Sequence, residues 1–414
     1  MSRPHALIIG GSVGGLFAAN LLRTIGWDVA VYERSAGDLA ERGAGLGATP
    51  ELFAVLERIG VALDSRIMGH VRGRIFLDRA GSIVHALERG SRTSAWGELY
   101  GALRHALPSA CYRGGIALEH VAQDTGGVTA TFADGSRARG DLVIAADGLS
   151  SSVRRQFLPE VQPAYAGYVG WRGIVRENDL PPDVRETIAE RITFGGPVGE
   201  LLICVPMAGA EAAGQRRLHY TWYRTADYDR TLPDLCTDAE GRCHGVSIPP
   251  PLIRQELVDA LLEQGRAQLA PQLVTVMERG SRPFLQPIWD MESPCIVFGR
   301  VALIGDAAFV ARPHVATGVS KAALDVQCLV DALVETGDVD AALVRYRQER
   351  ERFGRGLVAR GRHLGAYIRR AEAQRNDPAS AAGNNGRIRV LLHEYGAAGV
   401  IDDTKAEILA GRPL

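Results

Sequence analysis

The sequence lacks a net charge of either sign, and it lacks any long apolar run. Its 47 basic and 48 acidic side chains leave a formal charge of −1, so no global electrostatic field draws the chain to nucleic acid or to an anionic membrane. It has no stretch of 18 or more consecutive apolar residues, so we predict no membrane-spanning segment. These absences favour a small molecule as the partner of the protein.

Cysteines are few and show no pattern. The six cysteines include no CxxC pair and no regular spacing, which argues against a disulfide framework and a zinc ribbon and predicts the cytoplasm as the location. Cys236, Cys243 and His244 are close in sequence, but no fourth ligand is evident, so we predict no metal. The apolar run of residues 6–22 imitates a secretory signal only superficially, because four glycines interrupt it.

The sequence does contain two kinds of segment that alternate along the chain, one with strands and helices in turn and one with strands alone. Its 414 residues, 46% of them hydrophobic, suffice for two compact domains or for one large domain with an inserted layer. Residues 5–33 read as strand, glycine-rich turn, helix and strand, which is a βαβ unit. Residues 160–290 read as strand-like runs between Pro- and Gly-rich loops, which predicts a mostly antiparallel sheet. Residues 299–333 return to a buried strand and a helix, so the sheet is an insertion.

The C-terminal part is predicted to be helical. Residues 339–375 carry an apolar stripe among many arginines, which is typical of a helix packed on a domain with a solvated outer face. Residues 376–386, rich in Ala, Asn, Ser and Gly, read as a linker or loop.

The first motif with chemical meaning is the glycine-rich turn after the first strand. Gly10, Gly14 and Gly15 let the backbone approach a pyrophosphate, and the next helix offers free N–H groups at its N-terminus. Glu33 follows 18 residues after Gly15, where an acid can accept ribose hydroxyls. Ser12 replaces the usual middle glycine and can add a hydroxyl donor. Alone, this fingerprint predicts a dinucleotide without separating FAD from NAD, and a turn that only lets helix and strand pack stays possible.

Two further strand ends carry an acid beside a glycine. One buried strand delivers Asp147 and Gly148 to a tight turn, before a helix that begins with hydroxyl residues suited to capping. Another ends in Gly305 and Asp306, where a carboxylate can bind ribityl hydroxyls. A loop with Gly318 then leads into a helix N-terminus that can stabilise negative charge on a reduced flavin.

In this order, the three motifs resemble the GxGxxG, DG and GD fingerprints of the single-component (group A) FAD-dependent aromatic hydroxylases. The resemblance covers roughly residues 5–360. It implies an α/β fold made of a Rossmann-like FAD-binding domain, an inserted, mostly antiparallel β-sheet substrate domain and a C-terminal helical region. We place the parts of the FAD-binding domain at 1–160 and 291–340, with some substrate-domain strands near 71–95, the substrate domain at 161–290 and the helical region at 341–414.

The resemblance also implies the cofactor, the substrates and the residues that bind FAD. NADH or NADPH is expected as a transient co-substrate, because only one complete nucleotide fingerprint is present, and O₂ and a small aromatic ring are the other substrates. No nucleic acid and no membrane is expected as a partner, and a homodimer is one expectation for the assembly. The residues carried over as FAD-binding are Gly10, Ser12, Val13, Gly14, Gly15, Glu33, Arg34, Gly45, Leu46, Asp147, Gly148, Gly305, Asp306, Ala316 and Gly318.

Within that family, three stretches look most like the 2,6-dihydroxypyridine 3-monooxygenase branch: residues 166–175, 218–224 and 299–325. The Arg-Pro-His triplet at 312–314, followed by a turn with Gly and Lys, carries most of this similarity. The chain departs from many relatives at Trp96, where they have an arginine that approaches FAD, so that contact is not carried over.

The resemblance implies transfer of an electrophilic hydroxyl from a flavin C4a-hydroperoxide, inside a pocket that excludes water and holds a few polar groups. Tyr223 and Trp222 are candidate catalytic residues because they match the branch. They lie on opposite faces of a strand, and the sequence does not say which face meets the flavin. Pro313 and His314 are candidates on the loop beside the flavin, His314 because a histidine can titrate near neutral pH.

Several alternatives stay open. His314 and His219 can be structural histidines, and Arg172 can hold an anionic substrate, a FAD phosphate or only solvent. The same fold can serve a flavin-dependent oxidase or reductase without oxygen transfer, or a non-catalytic FAD-binding protein. The ring can be a carbocyclic phenol in place of a hydroxylated N-heterocycle such as a dihydroxypyridine.

Overall fold

The computed structural model describes residues 3–40, 45–61, 68–207, 216–245, 247–369, 380–396, 401 and 404. Its strands, numbered in chain order, are β1 (His5–Ile9), β2 (Asp28–Glu33), β3 (Gly45–Ala48), β4 (Met68–Val71), β5 (Gly73–Leu77), β6 (Ile83–Leu87), β7 (Ser91–Ala95), β8 (Tyr112–Gly114), β9 (Leu118–Asp124), β10 (Gly127–Phe132), β11 (Arg137–Gly140), β12 (Leu142–Ala145), β13 (Ala164–Arg176), β14 (Arg191–Gly195), β15 (Leu201–Met207), β16 (Arg217–Thr225), β17 (Phe284–Glu292), β18 (Val297–Phe298), β19 (Val301–Leu303) and β20 (Phe309–Val310). Its helices are α1 (Val13–Thr24), α2 (Pro50–Arg58), α3 (Trp96–Ala106), α4 (Ser152–Phe157), α5 (Pro182–Ile188), α6 (Thr231–Leu235), α7 (Gln255–Gln268), α8 (Pro271–Arg279), α9 (Gly318–Thr336), α10 (Val339–Arg369) and α11 (Ser380–Glu394). Among the residues described, no helix is both long enough and apolar enough to cross a bilayer.

The first sheet has the parallel arrangement that the βαβ unit predicts. Its strand order is β18-β19-β12-β1-β2-β8, and every neighbouring pair is parallel except β18 with β19. Strands such as β12, with the sequence LVIA, are buried throughout, as a parallel sheet covered on both faces requires. The strand predicted at 299–304 is shorter than expected, because a turn at 299–300 separates β18 from β19. The carboxyl ends of β1, β12 and β19 meet at one edge, where the three motifs lie.

The second large sheet is mostly antiparallel. Its order is β20-β17-β13-β16-β15-β14-β5-β6, and only the pair of β14 with β5 is parallel. Helices α5, α7 and α8 contribute with strands of this sheet to one hydrophobic cluster that includes Trp171, Tyr220 and Trp222. The predicted fold class, an α/β fold with an inserted antiparallel sheet and a helical C-terminal region, is confirmed. The exact domain boundaries stay a prediction.

Helix α10 approaches the loop after β20 closely, because glycines share one of its faces. Gly354, Gly361 and Gly365 are seven and four residues apart, which places them on one side of a helix. A Cβ at Gly361 would lie 2.9 Å from the backbone nitrogen of Arg312. A Cβ at Gly365 would lie 2.6 Å from the hydroxyl of Tyr168. Any side chain at these positions would push the helix away from the loop.

The linker predicted at 376–386 is wrong from residue 380 onward, and residues 376–379 lie outside the described residues. Helix α11 begins at Ser380, although its first turns contain Asn and Gly, which have low helix propensity. Burial of the other end explains the helix, since its apolar residues recur at helical spacing and pack against the second sheet. These residues are Ile388, Leu391, Leu392 and, just beyond the helix, Tyr395.

We expect Gly365→Ala and Gly386→Ala to change stability in opposite directions. The alanine methyl at 365 would collide with Tyr168 and the Arg312 guanidinium, and such overpacking costs about 1–3 kcal/mol. Gly386 is an exposed helical glycine with no atom within 4 Å of an added Cβ, so alanine should stabilise there by roughly 0.5–1 kcal/mol. Thermal unfolding of both variants checks this. Equal effects would contradict the close approach of α10.

Candidate active site

A cleft of about 670 Å³ opens at the carboxyl edge of the parallel sheet, and it brings the three sequence motifs together. We call it the nucleotide cleft. Gly15 does not line it, because Gly15 packs against the Gly10 carbonyl and lets α1 approach β1. The predicted FAD-binding residues that do line it are Gly10, Ser12, Val13, Gly14, Glu33, Arg34, Asp147, Gly148, Gly305, Asp306 and Gly318.

The carboxylate of Glu33 fixes the glycine-rich turn by accepting backbone hydrogen bonds. Gly10 has a φ of +103°, and a Cβ there would overlap the Ala146 carbonyl, so only glycine fits. One Glu33 oxygen accepts the N–H of Gly11 at 2.8 Å, and the other accepts the N–H of Ser35 at 2.9 Å. Each oxygen keeps a second lone pair that can accept a ribose hydroxyl. The first N–H groups of α1 lack partners within the helix, which suits them to a pyrophosphate.

Only one of the two oxygens of the Asp147 carboxylate is hydrogen-bonded among the described residues. Its Oδ2 accepts the backbone N–H of Ser152 at 2.8 Å, which fixes the turn before α4. Ser151 caps that helix, since its Oγ accepts the N–H of Arg154 at 2.9 Å, as the hydroxyl residues predict. The Asp147 Oδ1 is buried and has no hydrogen-bond partner in the described structure. A buried polar atom without a partner is costly, so this oxygen fits a group supplied by a bound cofactor.

Buried charged side chains from α9 and α10 fix the backbone of Gly305 through hydrogen bonds. Its N–H donates to Asp325 at 2.9 Å, and its carbonyl accepts from the Lys321 ammonium at 2.6 Å. The second Asp325 oxygen accepts from Arg350 at 2.8 Å. The side chains of Asp325, Lys321 and Arg350 are almost fully buried, so the turn that carries Asp306 is rigid. Lys321 and Asp325, which lie on α9 just after Gly318, therefore act behind the cleft.

Asp306 itself faces both cavities. The Asp306 side chain is exposed to the two cavities, and protein surrounds its carboxyl group on the other sides. The loss of bulk water raises the pKa of Asp306, with Lys321 acting in the opposite direction. Within the described parts of the chain no hydrogen-bond donor pairs with this carboxylate, so it can accept from a ligand.

A second cavity of about 470 Å³, which we call the inner cavity, continues from the nucleotide cleft toward the antiparallel sheet. The two share the lining residues Trp96, Leu149, Asp306, Gly318 and Val319. Gly45, Leu46, Pro313 and Ala316 also line the inner cavity, so the structure places these predicted residues here and not in the cleft. Ala316 has a φ of +50°, a conformation rare for residues other than glycine.

One face of β16 lines the inner cavity, the face with His219, Thr221 and Tyr223. Trp222 does not line it, so its predicted place beside the reacting atoms is wrong. Successive strand residues point to opposite faces, and Trp222 lies with Tyr220 in the hydrophobic cluster against α7 and α8. Tyr223 lines the inner cavity, and its catalytic role stays a prediction.

The wall formed by β13 and β16 combines a neutral histidine with a cation. Burial, helped by Arg172 and Arg217, lowers the pKa of His219 to about 3, so the ring is neutral near neutral pH. Its Nδ1 accepts the backbone N–H of Gly45 at 3.1 Å, which leaves Nε2 as the protonated nitrogen. Arg172 lines the same cavity, and its Nε is buried without a partner among the described residues. This wall can bind an anionic ring oxygen.

His314 lies behind the cavity and does not line it, so its predicted contact with the reacting atoms is also wrong. Its Nε2 is 2.5 Å from the hydroxyl of Tyr168, and its Nδ1 is hydrogen-bonded to the hydroxyl of Tyr395. Burial lowers the pKa of His314 to about 3, with Arg312 and Arg172 adding to the effect. The neutral ring joins two tyrosines, and the one at 395 does line the cavity.

Among the lining residues that sequence reasoning missed are Tyr395 and Gly396, which directly follow α11. The signal was present in the helical spacing of Ile388, Leu391, Leu392 and Tyr395, which marks a buried helix face. The Asn- and Gly-rich stretch before it hid that signal.

Comparisons with known proteins agree with this geometry. A family model described as FAD binding domain-like matches residues 165–290, which lie between the second and third motifs. The 2,6-dihydroxypyridine 3-monooxygenase of Paenarthrobacter nicotinovorans is 31% identical over 382 residues, covering 91% of this chain and 94% of the relative. A FAD-dependent urate hydroxylase of Klebsiella pneumoniae is 30% identical over 371 residues, covering 86% of this chain and 88% of the relative.

A solved structure shows the same relationship. The 2,6-dihydroxypyridine-3-hydroxylase from Arthrobacter nicotinovorans superimposes with a TM-score of 0.83 at 30% identity, covering 89% of this chain and 93% of that one. The resemblance carried by the three motifs is confirmed, and FAD is the cofactor. Identity at this level along nearly the whole of both chains exceeds what a shared fold alone explains, and the chain belongs to the family of FAD-dependent aromatic monooxygenases.

Proposed function

We propose that the protein hydroxylates a small hydroxylated N-heterocycle such as a dihydroxypyridine, using O₂ and electrons from NADH or NADPH. The observation that carries the proposal is the junction of the two cavities around Asp306, which brings a ring-sized space with a polar wall to the end of the nucleotide cleft. Small-molecule sites of this kind are mostly apolar with a few convergent polar groups. The cytoplasm is the proposed location.

Bound FAD supplies the activated oxygen, and the chain supplies its orientation. We assign the pyrophosphate to the N-terminus of α1, the adenosine ribose to Glu33 and the ribityl chain to Asp306. The first turn of α9, at Gly318, then faces the flavin ring from the side of Pro313. The Asp147 Oδ1 and the open Asp306 carboxylate support this assignment, because neither has a donor among the residues that the structure describes.

The substrate is assigned to the β13 and β16 wall of the inner cavity. We assign to Nε2–H of His219 a hydrogen bond to a ring oxygen, and to Arg172 the stabilisation of that oxygen once it has lost its proton. Deprotonation of the hydroxyl enriches the ring in electrons and so favours electrophilic attack. Tyr223 and Tyr395 offer further hydroxyls for a ring nitrogen. Ile192, Phe194, Ile203 and Val205, on the neighbouring strands β14 and β15, continue this wall with apolar side chains that help to exclude water.

Replacing Asp306 by alanine should weaken FAD binding by about 10- to 150-fold, because a hydrogen bond to a charged group contributes roughly 1.5–3 kcal/mol. The apoprotein should unfold as before, since Asp306 is open to the cavities. Titration of apoprotein with FAD measures the affinity. The matched control is Asp331→Ala, which removes a carboxylate paired with Arg58 away from the cleft and should leave FAD affinity unchanged. Equal affinities of Asp306→Ala and wild type would contradict the ribityl contact.

His219→Leu should lower kcat/KM by about 10- to 100-fold at unchanged FAD affinity, because it removes the assigned donor to the ring oxygen. Because its pKa is about 3, His219 stays neutral between about pH 5 and 8, and the variant should keep the wild-type shape of the pH profile over that range. His219→Gln, which keeps a donor, should lose less. An ionisation that disappears from the profile with His219 would show that this histidine titrates during turnover.

The substrate class is tested by comparing kcat/KM for 2,6-dihydroxypyridine, resorcinol and a hydroxybenzoate, with the hydroxylated product measured beside NAD(P)H oxidation and peroxide release. A site that pairs its polar groups with a ring nitrogen should reject a carbocycle, by up to about 10⁴-fold. Equal or better hydroxylation of the carbocycles would end the heterocycle proposal. NAD(P)H oxidation that never yields a hydroxylated ring would favour an oxidase or reductase.

A further inference from the structure

Strand β5 carries an arginine that is buried without an acidic partner. Arg74 is only 1% exposed, and no carboxylate in the described part of the chain pairs with it. Burial lowers the pKa of Arg74 to about 10, with the positive charge of Arg89 adding to the effect. A cation in such a place needs other negative groups around it, because an uncompensated buried charge is strongly unfavourable.

The carbonyls at the end of α11 supply those groups. The guanidinium donates to the carbonyl of Leu392 at 2.8 Å, to that of Tyr395 at 2.7 Å and to that of Gly396 at 3.1 Å. The last carbonyls of a helix lack partners within the helix and carry its negative dipole end, so a cation is favoured there. Arg74 therefore ties the C-terminal segment, which we define as residues 388–396, to the second sheet across more than 300 positions of sequence.

That segment forms part of the inner cavity wall. Tyr395 and Gly396 both line the cavity, and the N–H of Gly396 donates to the carbonyl of His314 at 2.8 Å. The Tyr395 hydroxyl is hydrogen-bonded to His314, and the His314 ring in turn packs edge-on against Tyr223, on the wall assigned to the substrate. Release of the segment would remove Tyr395 from the wall and take a hydrogen-bond partner from His314.

We propose that Arg74 is a positioning residue for the hydroxylation: by holding the end of α11 it keeps Tyr395 in the wall of the substrate cavity and thereby sets the productive position of the ring. The inference rests on the proposed function. Arg74 does not line either cavity and acts only through Tyr395. Because a cavity that loses one wall also admits water, the same clamp limits the release of peroxide in place of product.

The test compares Arg74→Met and Arg74→Lys with a matched control, Arg72→Met. Arg72 is two residues away, exposed and paired with Glu190, so the control removes the same charge without touching the clamp. Arg74→Met should speed amide exchange in residues 388–396 while the parallel sheet keeps its protection. It should also raise the KM for the ring by about 10- to 100-fold and increase the fraction of NAD(P)H oxidation that yields peroxide. Arg74→Lys should recover part of each effect, and Arg72→Met should show none.

Tyr395→Phe keeps residues 388–396 docked but removes the hydroxyl, so it should raise the KM for the ring without speeding amide exchange. If Arg74→Met does not fold, Tyr395→Phe takes its place in the test. If Arg74→Met speeds amide exchange but changes neither the KM for the ring nor the release of peroxide, the proposal is overturned and Arg74 is a purely structural residue. Unchanged exchange in Arg74→Met would also overturn it. If the wild-type protein hydroxylates no ring, the proposed function fails. The affinity for the ring, measured through the change in flavin absorbance on binding, then still decides whether Arg74 positions the wall.

Discussion

The carboxylate of Asp325 is the buried group on which the flavin site depends. It accepts hydrogen bonds from the Gly305 backbone, Lys321 and Arg350, and so joins the end of β19 to α9 and α10. Buried charges are tolerated only when opposite charges and hydrogen bonds compensate them, so removal of the Asp325 carboxylate would leave Lys321 and Arg350 buried without this shared anion. The same cluster surrounds Asp306, whose pKa is raised chiefly by burial, while Lys321 lowers it and Asp325 raises it further. The group assigned to the ribityl chain therefore depends on charges behind the cleft.

The loop after β20 is fixed by a second buried set of charges. Arg312 and Arg362 both bind the Asp290 carboxylate, each at 2.7 Å, so β17, the loop and α10 share one anion. The glycine face of α10 makes this possible, because any larger side chain at Gly361 or Gly365 would hold the helix away. As a result Pro313 faces the cavity while His314 points behind it. The position of this loop in the cavity wall is thus decided by a helix that begins some 30 residues later in the sequence.

The parts of the site that the sequence predicts are those whose constraint is local. The turn at Gly10 needs a positive φ, and the acids at 147 and 306 follow directly from their strands, so motif and structure coincide. The two faces of β16 were also predictable from alternation. The choice between them was not, because it depends on α7 and α8 covering the side with Trp222. For Tyr395, the spacing of the apolar residues predicts a buried helix face but not the surface that this face meets, because its contacts include an arginine 321 positions away.

Two buried histidines stay neutral, His219 in the wall of the inner cavity and His314 behind it, and this has a cost for the fold. Burial lowers the pKa of His219 and of His314 to about 3, whereas an unfolded histidine has a pKa of 6.5. Below pH 6.5 the unfolded chain therefore binds protons that the folded chain refuses, and the free energy of unfolding falls as the pH drops from 6.5 toward 3. In return, each neutral ring can accept a hydrogen bond at one nitrogen and donate at the other, which an imidazolium cannot do. Arg172 is then the charged side chain on the face of β13 and β16 that lines the cavity, and in the proposed function it is the group that pairs with the deprotonated ring oxygen.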